Sequence, residues 1–167
     1  MAQNTWLEVA LNGGGGHAHQ HLMPITPAQL IEEGIACAEA GASIIHFHAY
    51  DPKTEKQSDT VELYAEVVEG IRAKVDAIVY GTLPMIGTVE APTNNHVKER
   101  HAAVEGLIER GLLDWLSVVD PGSVNFAPFK EIARDRDGFV YLNPMNHLRY
   151  GLSLCERFGL HPSYAIY

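Results

Sequence analysis

The chain has 167 residues, of which 46% are hydrophobic and 20% are charged, a composition typical of one soluble domain with a real core. Its formal net charge is −9, which argues against nucleic acid or an anionic membrane surface as a partner, because both need a basic surface. No run approaches the roughly 18 apolar residues of a membrane span, and no secretory signal precedes the first strand. The 2 cysteines suggest no disulfide framework. We therefore expect a cytoplasmic protein.

Short apolar runs alternate with amphipathic segments along the whole chain. The first helix is predicted to start at a capping box of Thr26 and Gln29, with Pro27 at the first helical position, and to stop near Gly41. Further helices are predicted in SDTVELYAEVVEGIRAKV, from about His96 to Arg110, and from Asn143-Pro144 to Gly159. The apolar runs predicted to be strands are TWLEVAL, SIIHFHA, AIVYGT, LDWLSVV and SYAIY.

This alternation of strands and helices predicts a single α/β domain over residues 1–167, with a parallel sheet. Two architectures share the pattern. A five-stranded doubly wound sheet fits the length of the chain, whereas a (β/α)8 barrel needs about 250 residues, so that the chain would cover only its first half. Length alone favours the doubly wound sheet.

The second predicted strand carries two histidines, His46 and His48, at alternate positions. Side chains alternate along a strand, so both rings lie on one face. Buried imidazoles must satisfy two nitrogens each, and either a divalent metal or a network with carboxylates could do so. The pattern therefore suggests a metal site at a strand end, with structural histidines as the competing interpretation.

Polar residues also end the third and fourth predicted strands. Thr82 shares a strand face with Tyr80, so its hydroxyl can point towards the mouth that the histidines face. Asp120 ends the fourth strand before a Pro-Gly turn, where it could bind a substrate, hold a histidine or cap the turn. Both positions lie where α/β proteins place their sites, at the carboxyl ends of strands.

Four stretches together resemble the β-keto acid cleavage enzymes: EVALNGG, PITPAQLIEEGIACAEAGASIIHFHAYDP, YAEVVEGIR and VDPGSVNF. The resemblance implies a (β/α)8 TIM barrel, of which this chain would be the N-terminal portion, covering about five strands and four helices. It implies that His46 and His48 bind the catalytic divalent metal, usually zinc. The implied reaction exchanges acyl groups between a β-keto acid and acetyl-CoA, giving acetoacetyl-CoA and a new product.

The resemblance also implies the residues that bind the substrate. Thr82 stands where the family has a hydroxyl residue, Asn12 and Gly13 lie in the loop after the first strand, and Asp120 lies at the matching end of the fourth. Gly15 stands where the founding member has a glutamate for the substrate's amino group, so a different β-keto acid is expected.

Family members have nearly twice the length of this chain, and their third metal ligand and acid/base residue lie in the last quarter. The catalytic residue is therefore unknown from this sequence. Either the chain is a fragment, or it pairs with a second copy or another chain, and we expect a homo-oligomer. The alternative is a non-catalytic truncated barrel that self-associates.

Overall fold

The computed structural model describes residues 5–17, 20–83, 94–127, 129–134 and 138–166, except the side chains of 94–96 and 131. The helices are α1 (Pro27–Glu39), α2 (Val61–Arg72), α3 (Asn94–Glu109), α4 (Phe129–Ile132) and α5 (Met145–Phe158). The strands are β1 (Glu8–Ala10), β2 (Ile44–Phe47), β3 (Tyr50–Asp51), β4 (Lys56–Gln57), β5 (Ile78–Gly81), β6 (Leu116–Val119), β7 (Val124–Phe126), β8 (Phe139–Tyr141) and β9 (His161–Tyr164). None of the described helices is long and apolar enough to cross a membrane.

Five parallel strands follow one another in space in the same order as in the chain. β1 pairs with β2, β2 with β5, and β6 with β9, all in parallel, while β5 lies beside β6. A doubly wound sheet would reverse this order at a switch point. The alternative that length favoured is therefore wrong, and the α/β class with a parallel sheet is confirmed.

The long helices form one layer against one face of the strands. α1 contacts α2, α2 contacts α3, and α3 contacts α5. The strand residues on this side include Ile45, Phe47 and Val119, which are at most 2% exposed. Each such side chain contributes about 1.5–3 kcal/mol when it leaves water. The opposite face of the strands is thereby left to carry polar side chains.

Local signals fix the helix ends where the sequence predicts them. Thr26 caps α1, and its side chain and that of Gln29 form the reciprocal bonds of a capping box. Gly159 ends α5 at φ 68°, a left-handed conformation that costs glycine little. The first four predicted strands all appear, shortened at their ends; the fifth begins earlier than predicted, at His161 rather than Ser163.

Two antiparallel hairpins, β3–β4 and β7–β8, were not anticipated from the sequence. They leave from the carboxyl ends of β2 and β6 respectively. Gly138, at φ 69°, precedes β8 and lies so close to the main chain of Phe126 that a Cβ there would collide with it. The hairpins add walls above the ends of the parallel strands.

Candidate active site

The two histidines lie together on the strand face that the helices leave uncovered. His46 is paired in register with Ala10 on one side and Tyr80 on the other. Its ring lies 4.8 Å from the ring of Tyr80 and 5.5 Å from that of His48, measured between centroids, and the two imidazoles are nearly perpendicular. The alternation predicted from the sequence is thus present.

Burial keeps both imidazoles neutral near neutral pH. Desolvation, and secondly the neighbouring His48, lower the pKa of His46 to about 4. Desolvation also lowers the pKa of His48, although a hydrogen bond with the Gln57 side chain acts in the opposite direction. A neutral imidazole offers one nitrogen lone pair, which is the form that binds a metal.

Each of these rings has a buried nitrogen without a hydrogen bond. The Nδ1 atoms of His46 and His48 are both inaccessible to solvent and have no hydrogen-bonding partner within the described structure. Buried polar atoms in native proteins are rarely left in this state, because desolvation without a partner costs roughly 1–3 kcal/mol. These two ring nitrogens are suited to bind a divalent cation. The described residues contain no group of three His, Cys, Asp or Glu side chains that could hold one.

Asn12 holds the main chain of His48 rather than opening into the cavity. Its Oδ1 accepts from the amide N–H of His48 at 2.7 Å, and its Nδ2 donates to the carbonyls of His48 and Pro24, both at 2.9 Å. The side chain therefore pairs both main-chain groups of a residue that lies just past the end of β2. Its predicted contact with substrate remains a prediction.

The loop after β1 is fastened by Tyr50. The phenol of Tyr50 donates to the carbonyl of Gly13 and accepts from the amide of Gly16 at 3.3 Å. Tyr50 itself is 2% exposed and packs with Met23 in a small apolar cluster. The carbonyl of Gly13 is thus engaged, and the next two glycines are the ones that reach the cavity.

A cavity of about 740 Å³ opens over the histidines at the carboxyl ends of the strands. It receives Thr82, as predicted from the strand alternation, and Asp120 from the end of β6. Its wall away from the sheet is apolar and aromatic, and comes from the β7–β8 hairpin. The lining comprises Glu8, Gly14, Gly15, His46, His48, Gln57, Tyr80, Thr82, Leu83, Val118, Asp120, Phe126, Phe139, Tyr141, Ser163, Tyr164 and Ala165.

Asp120 belongs to a buried polar network. The phenol of Tyr141 donates to its Oδ2, and Arg100 Nη2 lies 3.8 Å from the same oxygen. Arg100 also donates to Tyr141 Oη at 3.1 Å and to Asn143 Oδ1 at 2.7 Å. Capping of the following turn, one interpretation of Asp120 from the sequence, is not among its described contacts.

A second set of hydrogen-bonded polar side chains lies at the bottom of the cavity. Tyr80 donates to Glu8 Oε1 at 2.6 Å, and its hydroxyl lies 3.1 Å from Ser163 Oγ. Burial, and then the bond to Glu8, raise the pKa of Tyr80. These contacts connect β1, β5 and β9 beneath the cavity.

Sequence reasoning missed five of the polar residues in the site and its network: Glu8, Gln57, Arg100, Tyr141 and Ser163. A carboxylate in the middle of the apolar run TWLEVAL was a usable signal for Glu8. Tyr141 gave no such signal, because its partners Asp120 and Arg100 are separated from it by 21 and 41 residues.

The fold and the site define an α/β protein whose parallel strands end in a histidine-bearing cavity. Residues 4–167 match the β-keto acid cleavage enzyme family, and the chain belongs to that family. It is 31% identical over 139 residues to the 3-dehydrocarnitine:acetyl-CoA trimethylamine transferase of Rhizobium meliloti (strain 1021), covering 76% of this chain and 46% of that protein.

A second relative is the 3,5-dioxohexanoate:acetyl-CoA acetone transferase of Paraburkholderia graminis, 27% identical over 142 residues and covering 82% of this chain and 45% of the relative. Both relatives are thus named as acetyl-CoA transferases, and the chain spans about half the length of each. Among solved structures, the binary complex of ObcA with oxaloacetate superposes with a TM-score of 0.63 at 21% identity, over 85% of this chain and 30% of that one. The ternary complex of ObcA with a C4-CoA adduct and oxalate gives 0.62 at 20% identity, over the same shares of the two chains. At this identity the likeness concerns the fold.

Proposed function

We propose that this chain is part of a metal-dependent β-keto acid cleavage enzyme, which exchanges acyl groups between a β-keto acid and acetyl-CoA. The observation that carries the proposal is the His46–His48 pair, whose buried Nδ1 atoms have no hydrogen-bonding partner within the described structure and which lies under a 740 Å³ cavity. Membership of the family and the names of both relatives support the same reaction class.

The proposed fold is the N-terminal half of a (β/α)8 barrel. Five parallel strands in chain order, with the long helices in one outer layer, are the arrangement expected of consecutive βα units in such a barrel. β1 and β9 are each paired on one side only among the described strands. The remaining strands of the barrel would come from a further polypeptide segment or a second copy.

The atom balance sets the products. Breaking the C2–C3 bond of R–CO–CH2–COO⁻ and joining the CH2–COO⁻ unit to the acetyl group of acetyl-CoA gives acetoacetate and R–CO–S–CoA. The resemblance implied acetoacetyl-CoA as a product instead. In that case CoA would be attached to the new acetoacetyl group, and the rest of the substrate would be released as R–COO⁻. We assign acetoacetate and the acyl-CoA, because that outcome needs no transfer of an oxygen atom.

The cation would be zinc or another divalent metal, held by His46 and His48 with further ligands from outside the described residues. Bound there, it would supply Lewis-acid stabilisation of the enolate charge that C–C cleavage develops. Asn12 forms hydrogen bonds with the main chain of His48, and the side chain of Gln57 forms one with the imidazole of His48. In the cavity, the hydroxyl of Thr82 and the carboxylate of Asp120 would form hydrogen bonds with the bound β-keto acid.

Metal content and exchange test this proposal together. The purified chain is expected to hold close to one zinc per site by elemental analysis, and His46→Ala is expected to lose it. Incubation with acetyl-CoA and a panel of β-keto acids should then release acetoacetate, measured by mass spectrometry. Metal-free wild-type protein with no exchange, alone or after zinc addition, would sink the proposal for this chain.

The second candidate is a non-catalytic truncated barrel that self-associates. It is favoured by the outermost strands, β1 and β9, which are paired on one side only among the described strands, and by apolar side chains exposed near them, such as Trp6 at 52% and Ile166 at 85%. Light scattering separates the candidates when read with the metal analysis. A homo-oligomer with zinc and exchange supports the enzyme, whereas an oligomer with neither supports the truncated barrel.

A further inference from the structure

The buried network around Asp120 has a fixed direction of hydrogen bonding. Arginine carries only donors. Arg100 Nη2 lies 3.1 Å from Tyr141 Oη, so the phenol oxygen accepts there. The single hydrogen of the phenol is directed to Asp120 Oδ2. Asp120 therefore acts as an acceptor in this network.

A positive charge lies beside Asp120 in this network. Arg100 and Asp120 lie 3.8 Å apart with side chains only 3% and 5% exposed, so one positive charge faces one negative charge away from water. A carboxylate can accept about four hydrogen bonds, and the two described neighbours leave acceptor capacity on the side of the cavity that Asp120 lines. A ligand oxyanion placed there would face a like charge, and a ligand ammonium would lie close to the positive charge of Arg100.

The aromatic wall makes this position selective. Phe126 and Phe139 are directly opposed in the β7–β8 ladder, and their rings lie 5.6 Å apart. Tyr141, two residues after Phe139, shares that strand face and carries the donor to Asp120. A ligand group against this wall therefore meets apolar rings and one acceptor.

We propose that Asp120 is a specificity-determining residue that accepts a hydrogen bond from a neutral hydroxyl group of the substrate. The substrate class is a β-keto acid with a hydroxyl on the carbon chain beyond the keto group, whose own carboxylate lies away from Asp120. This inference rests on the proposed function, since it names the class of β-keto acid. Arg100 and Tyr141 are positioning residues that act through Asp120.

Fluorine gives a matched probe for the hydroxyl, because it is similar in size but donates no hydrogen bond. Calorimetry on the full chain would compare 4-, 5- and 6-hydroxy-3-oxohexanoate, each with its fluoro counterpart and with 3-oxohexanoate. We expect one hydroxyl compound to bind about 10- to 100-fold more tightly than its fluoro partner, the range for a hydrogen bond to a charged acceptor. Equal affinity for every pair, or no binding of any oxo acid, would overturn the inference.

Asp120→Asn tests the direction of the network. Tyr141 still donates to the amide oxygen, so the amide NH2 group now faces the cavity and the advantage of hydroxyl over fluorine should fall at least fivefold. Tyr141→Phe keeps the carboxylate and should keep the sign of the preference. The control, Glu66→Gln, removes a charge from the exposed face of α2 and should change no affinity.

The outcome is separable from that of the proposed reaction. Hydroxyl selectivity without acetyl-CoA exchange would leave the assignment of Asp120 standing and would count against the enzyme. Exchange that proceeds equally well with hydroxyl, fluoro and unsubstituted acids would support the enzyme and refute the role of Asp120. An unchanged hydroxyl preference in a folded Asp120→Asn variant would also refute it.

Discussion

Replacing Asn12 by alanine should loosen the end of β2 under the histidine pair. The substitution removes three hydrogen bonds: two to the main chain of His48, at 2.7 and 2.9 Å, and one to the carbonyl of Pro24 at 2.9 Å. Each orphaned buried group costs roughly 1–3 kcal/mol, and water reaches part of this half-buried site, so we expect the free energy of unfolding to fall by about 2–4 kcal/mol.

Urea unfolding at pH 7, followed by tryptophan fluorescence, measures this loss directly. Hydrogen exchange of the His48 amide supplies a local reading, and it should accelerate more than exchange in α1. Asn125→Ala is the matched control, because Asn125 is exposed on the β7–β8 hairpin. A loss below about 0.5 kcal/mol for Asn12→Ala, the ordinary range of surface substitutions, would refute the clamp.

Three further outcomes follow from the same structure. The pKa of His46 is lowered from 6.5 to about 4, so in the absence of metal the unfolded chain binds this proton more tightly than the folded chain does. The free energy of unfolding should therefore be highest above pH 6.5 and should fall by up to about 3 kcal/mol as the pH is lowered to 4. His46→Gln should flatten this decline, as measured by urea titrations at each pH. Gly81→Ala would place a Cβ 2.3 Å from the buried ring of Tyr64 and should lower the unfolding free energy by at least about 1–3 kcal/mol, measured by chemical denaturation. Tyr80→Phe removes the 2.6 Å bond to Glu8 and should lower thermal stability by the equivalent of about 1–2 kcal/mol, whereas Glu8→Gln should cost less, because its amide oxygen still accepts from Tyr80.

The sequence predicted the parallel strands and long helices because their signals are local. The capping box of Thr26 and Gln29, the glycine after α5 and the apolar runs each act within a few residues. The hairpins escaped prediction for the opposite reason. β3 and β4 have two residues each, too few for any periodicity to appear.

The candidate site was predicted in part. His46 and His48 share a face because strand geometry requires it, and Thr82 reaches the same cavity for the same reason. The role of Asn12 was not predictable, because the contact that defines it, with the main chain of His48, spans 36 residues.

The amino-acid sequence by itself determined the strand–helix alternation, the histidine pair and the resemblance to a family, since each depends on neighbours in the chain. Only the tertiary structure decided between two sheet orders that share one alternation pattern. It alone brought Arg100, Tyr141 and Asp120 together, from a helix, a hairpin and a strand end. Hydrogen bonds are short and directional, so the direction of that network exists only once the three elements have packed.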